Sequence, residues 1–226
     1  MHLKRTRKPM HVSMYAPSFV ILFQGFLLCA SLIVAVGPQN LFILQQGLRR
    51  RHLFITAGLC ALCDLLLISL GVGGIGTAIA ASQPVMAITT LGGATFLFGY
   101  GVRSFRAAWH QSPMLSTNTG DMGQLSWQGT VVATLSFSLL NPGAYIDTLL
   151  MIGATSSRYP LDERVLFGAG AALASCLWFF SLTYGSSRLQ PLFRHSAVWR
   201  TLELISGCVM VGIAASLAAA QSHWFW

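Results

Sequence analysis

The chain has 226 residues, of which 54% are hydrophobic and 9% are charged, and its formal net charge is +8. Soluble domains carry about a quarter of charged residues, so this balance excludes an ordinary soluble enzyme and points to a polytopic membrane protein. The basic residues are bunched at Lys4, Arg5, Arg7 and Lys8 and again at Arg49 to Arg51, which reads as anchoring to anionic headgroups and not as a nucleic-acid surface.

Residues 1–17 are expected to form a basic N-terminal tail, and since Met14 begins the apolar part, the role of residues 1–13 is left open, a dispensable extension being one reading. A membrane span needs about 20 residues at 1.5 Å each. On that measure the charge-free runs predict six helices, at about 18–47, 53–77, 84–102, 127–152, 165–186 and 203–222, in one transmembrane domain over residues 18–222. The first run is not a cleaved signal, whose apolar region is about 7–15 residues, because it continues through Gly37-Pro38 to Leu48. Ser82-Gln83-Pro84 separates the second and third helices, and the polar segment 103–126 is the only long connection. That segment divides the chain into halves of three helices. Halves with an odd number of spans insert in opposite orientations, so the expected fold is an all-α membrane protein of six transmembrane helices arranged as two inverted three-helix repeats. The loop charges vote eight to two for one orientation and the N-terminal cluster adds four to the losing side, which leaves the direction of insertion open.

Each half opens with a span interrupted by proline: Gly37-Pro38-Gln39-Asn40 in the first and Asn141-Pro142-Gly143 in the fourth. Proline removes a helical N–H and clashes with the carbonyl four residues back. The polar groups freed at membrane depth are tolerated only against protein or a watery cavity. Matched breaks of this kind point to a transporter's central site, although two ordinary packing kinks are the plainer alternative. Two aspartates, Asp64 and Asp147, lie inside otherwise uncharged apolar runs. A carboxylate there costs about 2.5–3.5 kcal/mol on insertion scales, which marks it for a polar task. The alternative is a carboxyl held structurally by Asn or Ser of a neighbouring helix. The candidate substrate- or proton-binding residues are thus Asp64, Asp147, Gln39, Asn40, Asn141 and Tyr145, with Gly37, Pro38, Pro142 and Gly143 breaking the helices.

The stretch from Gly37-Pro38-Gln39-Asn40 through Arg49-Arg50-Arg51-His52, then Cys63-Asp64-Leu65, then Leu140-Asn141-Pro142-Gly143-Ala144-Tyr145-Ile146-Asp147, resembles the lysine/arginine exporter family of LysE and ArgO type. The resemblance runs from about Tyr15 to the last span. It implies an exporter of basic amino acids in the bacterial cytoplasmic (inner) membrane, driven by the proton gradient, with Asp64 and Asp147 required. Broader relatives export neutral amino acids or other small solutes. Many relatives carry His or Asn where this chain has Gly143.

The residues themselves suit that expectation. Asp64 lies 11 residues beyond Leu53, about 16 Å along a helix and close to the middle of a ~30 Å hydrocarbon core. A carboxylate that binds either a proton or a cationic substrate makes the two mutually exclusive, which is antiport. Expelling one positive charge against an inside-negative potential costs about 2.3 kcal/mol per 100 mV, and an entering proton cancels that term. The expected partners are a basic amino acid, protons and the lipid bilayer; a homo-oligomer is left open.

The remaining features read structurally. Cys29, Cys60, Cys63, Cys176 and Cys208 all lie in apolar spans, where Cys is a small buried hydrophobe. Cys60-x-x-Cys63 has no second CxxC and no spanning His, so no metal or other cofactor is expected. A membrane thiol–disulfide carrier is the rival class, but no Cys occurs between Ser126 and Ile152. A scaffold or channel component is the third class, and it needs no matched acidic pair. Residues four apart share a helix face, so Cys60 is expected beside Asp64 on the substrate route. Trp109, Trp127, Tyr159, Trp199, Trp224 and Trp226 are expected as an interfacial belt. Arg49 to Arg51 are expected to anchor the first loop or to act in gating.

Overall fold

The computed structural model describes residues 18–34, 37–76, 79, 82–109, 126–190 and 196–222. The described elements are helices: α1 (Ser18–Ile33), α2 (Pro38–Leu48), α3 (Leu53–Val72), α4 (Gln83–Trp109), α5 (Trp127–Leu139), α6 (Pro142–Ser156), α7 (Leu161–Leu189) and α8 (Ser196–Ser222). By length and composition α3, α4, α7 and α8 are each sufficient to cross a membrane. The pairs α1–α2 and α5–α6 qualify as one span each, bent by 84° and 53°.

The ends of the helices differ from the charge-free runs for physical reasons. The second span stops at Val72, short of residue 77, because Gly74 takes a left-handed φ of 86°. The Gly74 N–H then bonds the Gly71 carbonyl and the Ile75 N–H bonds the Leu70 carbonyl, the paired closure that ends a helix at glycine. Elsewhere the helices are longer. α4 runs on to Trp109 through Arg103 and Arg106, α7 begins at Leu161 with Asp162 and Glu163 in its first turn, and α8 begins at Ser196 rather than at 203. The 27 residues of α4 measure about 40 Å, the thickness of a bilayer with its headgroups, so the charges sit on end turns instead of in loops. The connection expected over 103–126 therefore starts as helix. Its residues 110–125, the basic tail 1–17, and Trp224 and Trp226 lie outside the described residues.

Lipid supplies no hydrophobic force between helices, so association depends on close packing and interhelical hydrogen bonds. α1 lies along α7 and α4 along α8, while α3 packs on α5, α6 and α7. The α1–α7 contact is made by reciprocal glycines: a Cβ on Gly25 would run into the Phe167 carbonyl, and one on Gly170 into the Leu22 carbonyl. Outward positions are apolar, with Phe19, Ile88, Val132 and Val165 all more than 60% exposed. Trp109 and Trp127 are exposed as a belt requires, whereas Trp199 is buried. α2 is unlike the other helices, because eight of its 11 residues are buried. It is a short internal helix rather than the outer half of a lipid-facing span.

Candidate functional site

Both breaks arise because proline starts a helix, not because it bends one. Pro38 and Pro142 stand in the first turns of α2 and α6, where the missing N–H is no loss. The residue before a proline is pushed out of the helical region, and Gly37 (φ −121°, ψ 173°) and Asn141 (φ −94°, ψ 104°) are accordingly extended. Gly37 and Gly143 flank these prolines without taking a positive φ. Asn141 Oδ1 accepts the Gly143 N–H at 3.1 Å, capping α6. The carbonyl freed before each break meets a side chain from just beyond it: Asn40 Nδ2 donates to the Ile33 carbonyl at 2.8 Å, and the Tyr145 hydroxyl to the Leu139 carbonyl at 2.9 Å. The backbone at membrane depth is thereby satisfied in the same way in both halves.

Between the breaks lies a cavity of about 140 Å³ whose polar wall includes Gln39, Asn40, Asp64, Asn141 and Asp147. Gly37 also borders it, and Leu32, Ile33, Ile152 and Phe179 supply apolar surface. Five of the six polar candidates thus come together. Tyr145 is not in the wall and instead bridges the break, and Pro38, Pro142 and Gly143 are likewise outside the wall.

The two carboxyls differ. Asp64 is 8% exposed and accepts a hydrogen bond from Ser175 Oγ at 3.0 Å. Asp147 is half-buried, and no donor among the described residues meets it. It sits in a π-helical segment, Tyr145–Ile152, a wide-turn geometry found frequently at functional positions. Around them, Gln39 Nε2 donates to Ser138 Oγ at 3.2 Å and Trp178 Nε1 to Asn40 Oδ1 at 3.2 Å. Ser138, Ser175 and Trp178 escaped the sequence reading, since a Ser or Trp inside a span has many uses. The one available signal was that Ser175, Trp178 and Phe179 share one face of α7 by their spacing.

Two expectations are corrected. Cys60 does not border the cavity; it is fully buried and packs with Leu41, Phe42 and Phe137. One helix face meets different neighbours at successive turns, and α2 and α5 close over Cys60 before the cavity begins at Asp64. Cys29 of α1 lines the cavity instead. Arg49 is not a headgroup anchor, because its Nη2 meets Glu203 Oε1 at 3.0 Å and its guanidinium lies 5.3 Å from the Trp199 ring centre. Gln45 Nε2 also donates to Glu203 at 3.3 Å, and Glu203 is 1% exposed. The sequence reading missed Glu203, which fell at the boundary of the sixth run. Among the described residues no three His, Cys, Asp or Glu side chains form a metal-binding group.

The family model of the LysE type translocator matches residues 30–221. The chain is 40% identical over 202 residues to the “Putative amino-acid transporter YggA” of Aeromonas salmonicida, covering 89% of this chain and 97% of that protein. It is 37% identical over 198 residues to the “Arginine exporter protein ArgO” of Serratia proteamaculans, covering 88% and 96%. No solved structure matches.

Proposed function

Since the chain belongs to the LysE-type translocator family and is a multi-pass membrane protein, we propose that it exports basic amino acids, L-arginine or L-lysine, across the bacterial inner membrane in exchange for protons. The observation that carries this reading is the placing of Asp64 and Asp147 on one cavity between two proline-started helices. An amino acid has an anionic and a cationic end. The first turns of α2 and α6 offer the positive ends of helix dipoles to the α-carboxylate, and the carboxylates offer charge-assisted bonds to the ammonium or guanidinium. Asp64, steadied by Ser175, provides the fixed point, and Asp147, with no donor among the described residues, is the group left for substrate and proton to share.

We read the architecture as two inverted repeats, α1–α4 and α5–α8. Support comes from the pairing of contacts: the first span on the fifth (α1 and α2 on α7) has its counterpart in the fourth span on the second (α5 and α6 on α3). The contacts α3–α7 and α4–α8 are each their own counterpart. A site at the junction of such repeats is reachable from either side when one half rocks against the other.

Counterflow in reconstituted vesicles tests the reading. Arginine or lysine on the far side should accelerate uptake of labelled arginine, with acidification of the compartment that receives the proton, and threonine or leucine should not. Equal acceleration by leucine would replace the basic substrate with a neutral one, and no acceleration by any amino acid would end the exporter reading.

A further inference from the structure

Beyond the cavity, one half of the protein has a polar interior that substrate binding does not use. The span α5–α6 runs parallel to α3: Ser138 meets Cys60, and further along Leu149 and Gly153 meet Gly71. Thr56 and Thr130 therefore lie on the side of the cavity where α3 and α5 begin. The C-terminal end of α2 lies there too, since Gly47 packs on Thr183 and Ser186 of α7 and Arg49 meets Glu203 near the start of α8.

α2 is packed upon by α3, α5, α7 and α8. Each of these four contributes one hydroxyl on a residue that is 0% exposed and that has no hydrogen-bond partner among the described residues: Thr56, Thr130, Thr183 and Ser206. A buried helical hydroxyl ordinarily bonds a carbonyl a turn back, as Thr134 does to the Thr130 carbonyl, and orphaned ones call for a reason. Four orphans, one on each helix that packs on the same short helix, fit a surface that is wet when that helix is elsewhere. The link at the far end of α2 is strained, with Arg50 at φ 52° and His52 at φ 51°, positions a non-glycine residue holds only against a cost. The buried carboxyl on this side of the cavity, Glu203, is bound to the end of α2 by Arg49 and Gln45.

We propose that this half is the closed arm of the translocation path, that α2 is the plug closing it, and that the Arg49–Glu203 pair is the latch holding the plug. The proposal rests on the transporter reading above. When the pair parts, α2 swings from its bed and the four hydroxyls line an aqueous route from the cavity to the face where α2 ends.

The test uses single cysteines at Thr130→Cys or Ser206→Cys in protein whose five native cysteines are replaced by Ser, probed with a small cationic methanethiosulfonate, since thiolates form only where water reaches. Leu32→Cys, in the cavity wall, is the reactive control, and Ile88→Cys, on the outer face, the lipid control. With the latch intact, Thr130→Cys and Ser206→Cys should label slowly. Adding Glu203→Gln, or separately Arg49→Gln, should raise their labelling at least ~10-fold, equivalent to about 1.4 kcal/mol of lost closing free energy, with no change at Ile88→Cys. Unchanged labelling in both latch variants while Leu32→Cys reacts would overturn the proposal, as would an equal rise at Ile88→Cys. No substrate is needed for this readout. If arginine fails to slow labelling at Leu32→Cys but the latch variants open the path, the basic-substrate reading falls and the path stands; the opposite pattern removes the path alone.

Discussion

Replacing Asp64 by Asn removes the charge and keeps the shape, and the two aspartates should respond unequally. The Asn oxygen can still accept from Ser175 Oγ, which lies 3.0 Å from the Asp64 carboxyl, so α3 and α7 remain tied. Interhelical bonds in membranes average about 0.6 kcal/mol, so the stability loss should stay near 1 kcal/mol or below. Binding is different. A cation 4 Å from a carboxylate gains about 4 kcal/mol at an effective dielectric constant of 20 and about 1 kcal/mol in bulk water. Asp64, 8% exposed, belongs near the first limit, and its loss should weaken arginine binding ~10³-fold at 1.4 kcal/mol per decade. Asp147 is half-buried and falls between the limits, so Asp147→Asn should cost ~10–100-fold. The assay is arginine-dependent thermal stabilisation of purified protein, beside efflux of labelled arginine from vesicles at equal protein abundance. Both variants should lose net export, because an amide cannot exchange a proton for a cation. Arginine affinity within threefold of the parent in the Asp64→Asn protein, or wild-type efflux in both, would refute the carboxylate argument.

Replacing Pro38 and Pro142 together by Ala removes the constraint on Gly37 and Asn141 and lets each broken span close into a continuous helix; transport should fall by more than thermal stability does, and normal flux in the double variant would separate the breaks from function. Gly170→Ala places a methyl against the Leu22 carbonyl and should cost about 1–3 kcal/mol as overpacking does. Gly58→Ala, with open space at its Cβ, should stay within about 0.5 kcal/mol; equal losses in detergent melting curves would contradict the close α1–α7 contact. In proteins keeping one native cysteine, Cys29 should label with a hydrophilic thiol reagent and be protected by arginine, while Cys60 should not label; a faster Cys60 would relocate the cavity.

Charge made the spans legible. A run without Lys, Arg, Asp or Glu marks hydrocarbon well, and for the same reason it marks helix ends poorly, since α4, α7 and α8 continue through charged turns into the headgroup layer. Asp64 and Asp147 were visible because an acid in an apolar run stands out, and Pro38 and Pro142 because no other residue ends a helix so firmly. Ser175 was invisible because its role depends on which helix faces α3, a tertiary fact. Glu203 was hidden by position, since an acid at a run's edge looks like an interfacial residue until the fold buries it against Arg49. Cys60 shows the limit of helical-wheel reasoning: angle around one axis says nothing about what covers each turn.

The self-contained breaks have a mechanical consequence. Asn40 satisfies the Ile33 carbonyl within the first half and Tyr145 satisfies the Leu139 carbonyl within the second. Among the described residues, no backbone-to-backbone hydrogen bond joins one half to the other. What joins them has a side chain on at least one end: Gln39 to Ser138, Ser175 to Asp64, Trp178 to Asn40, Arg49 to Glu203. Side chains can change partners by rotating about single bonds, and main chain in lipid cannot. The hydrogen bonds between the halves are therefore replaceable fasteners, and exchanging them need never strand a peptide group in oil.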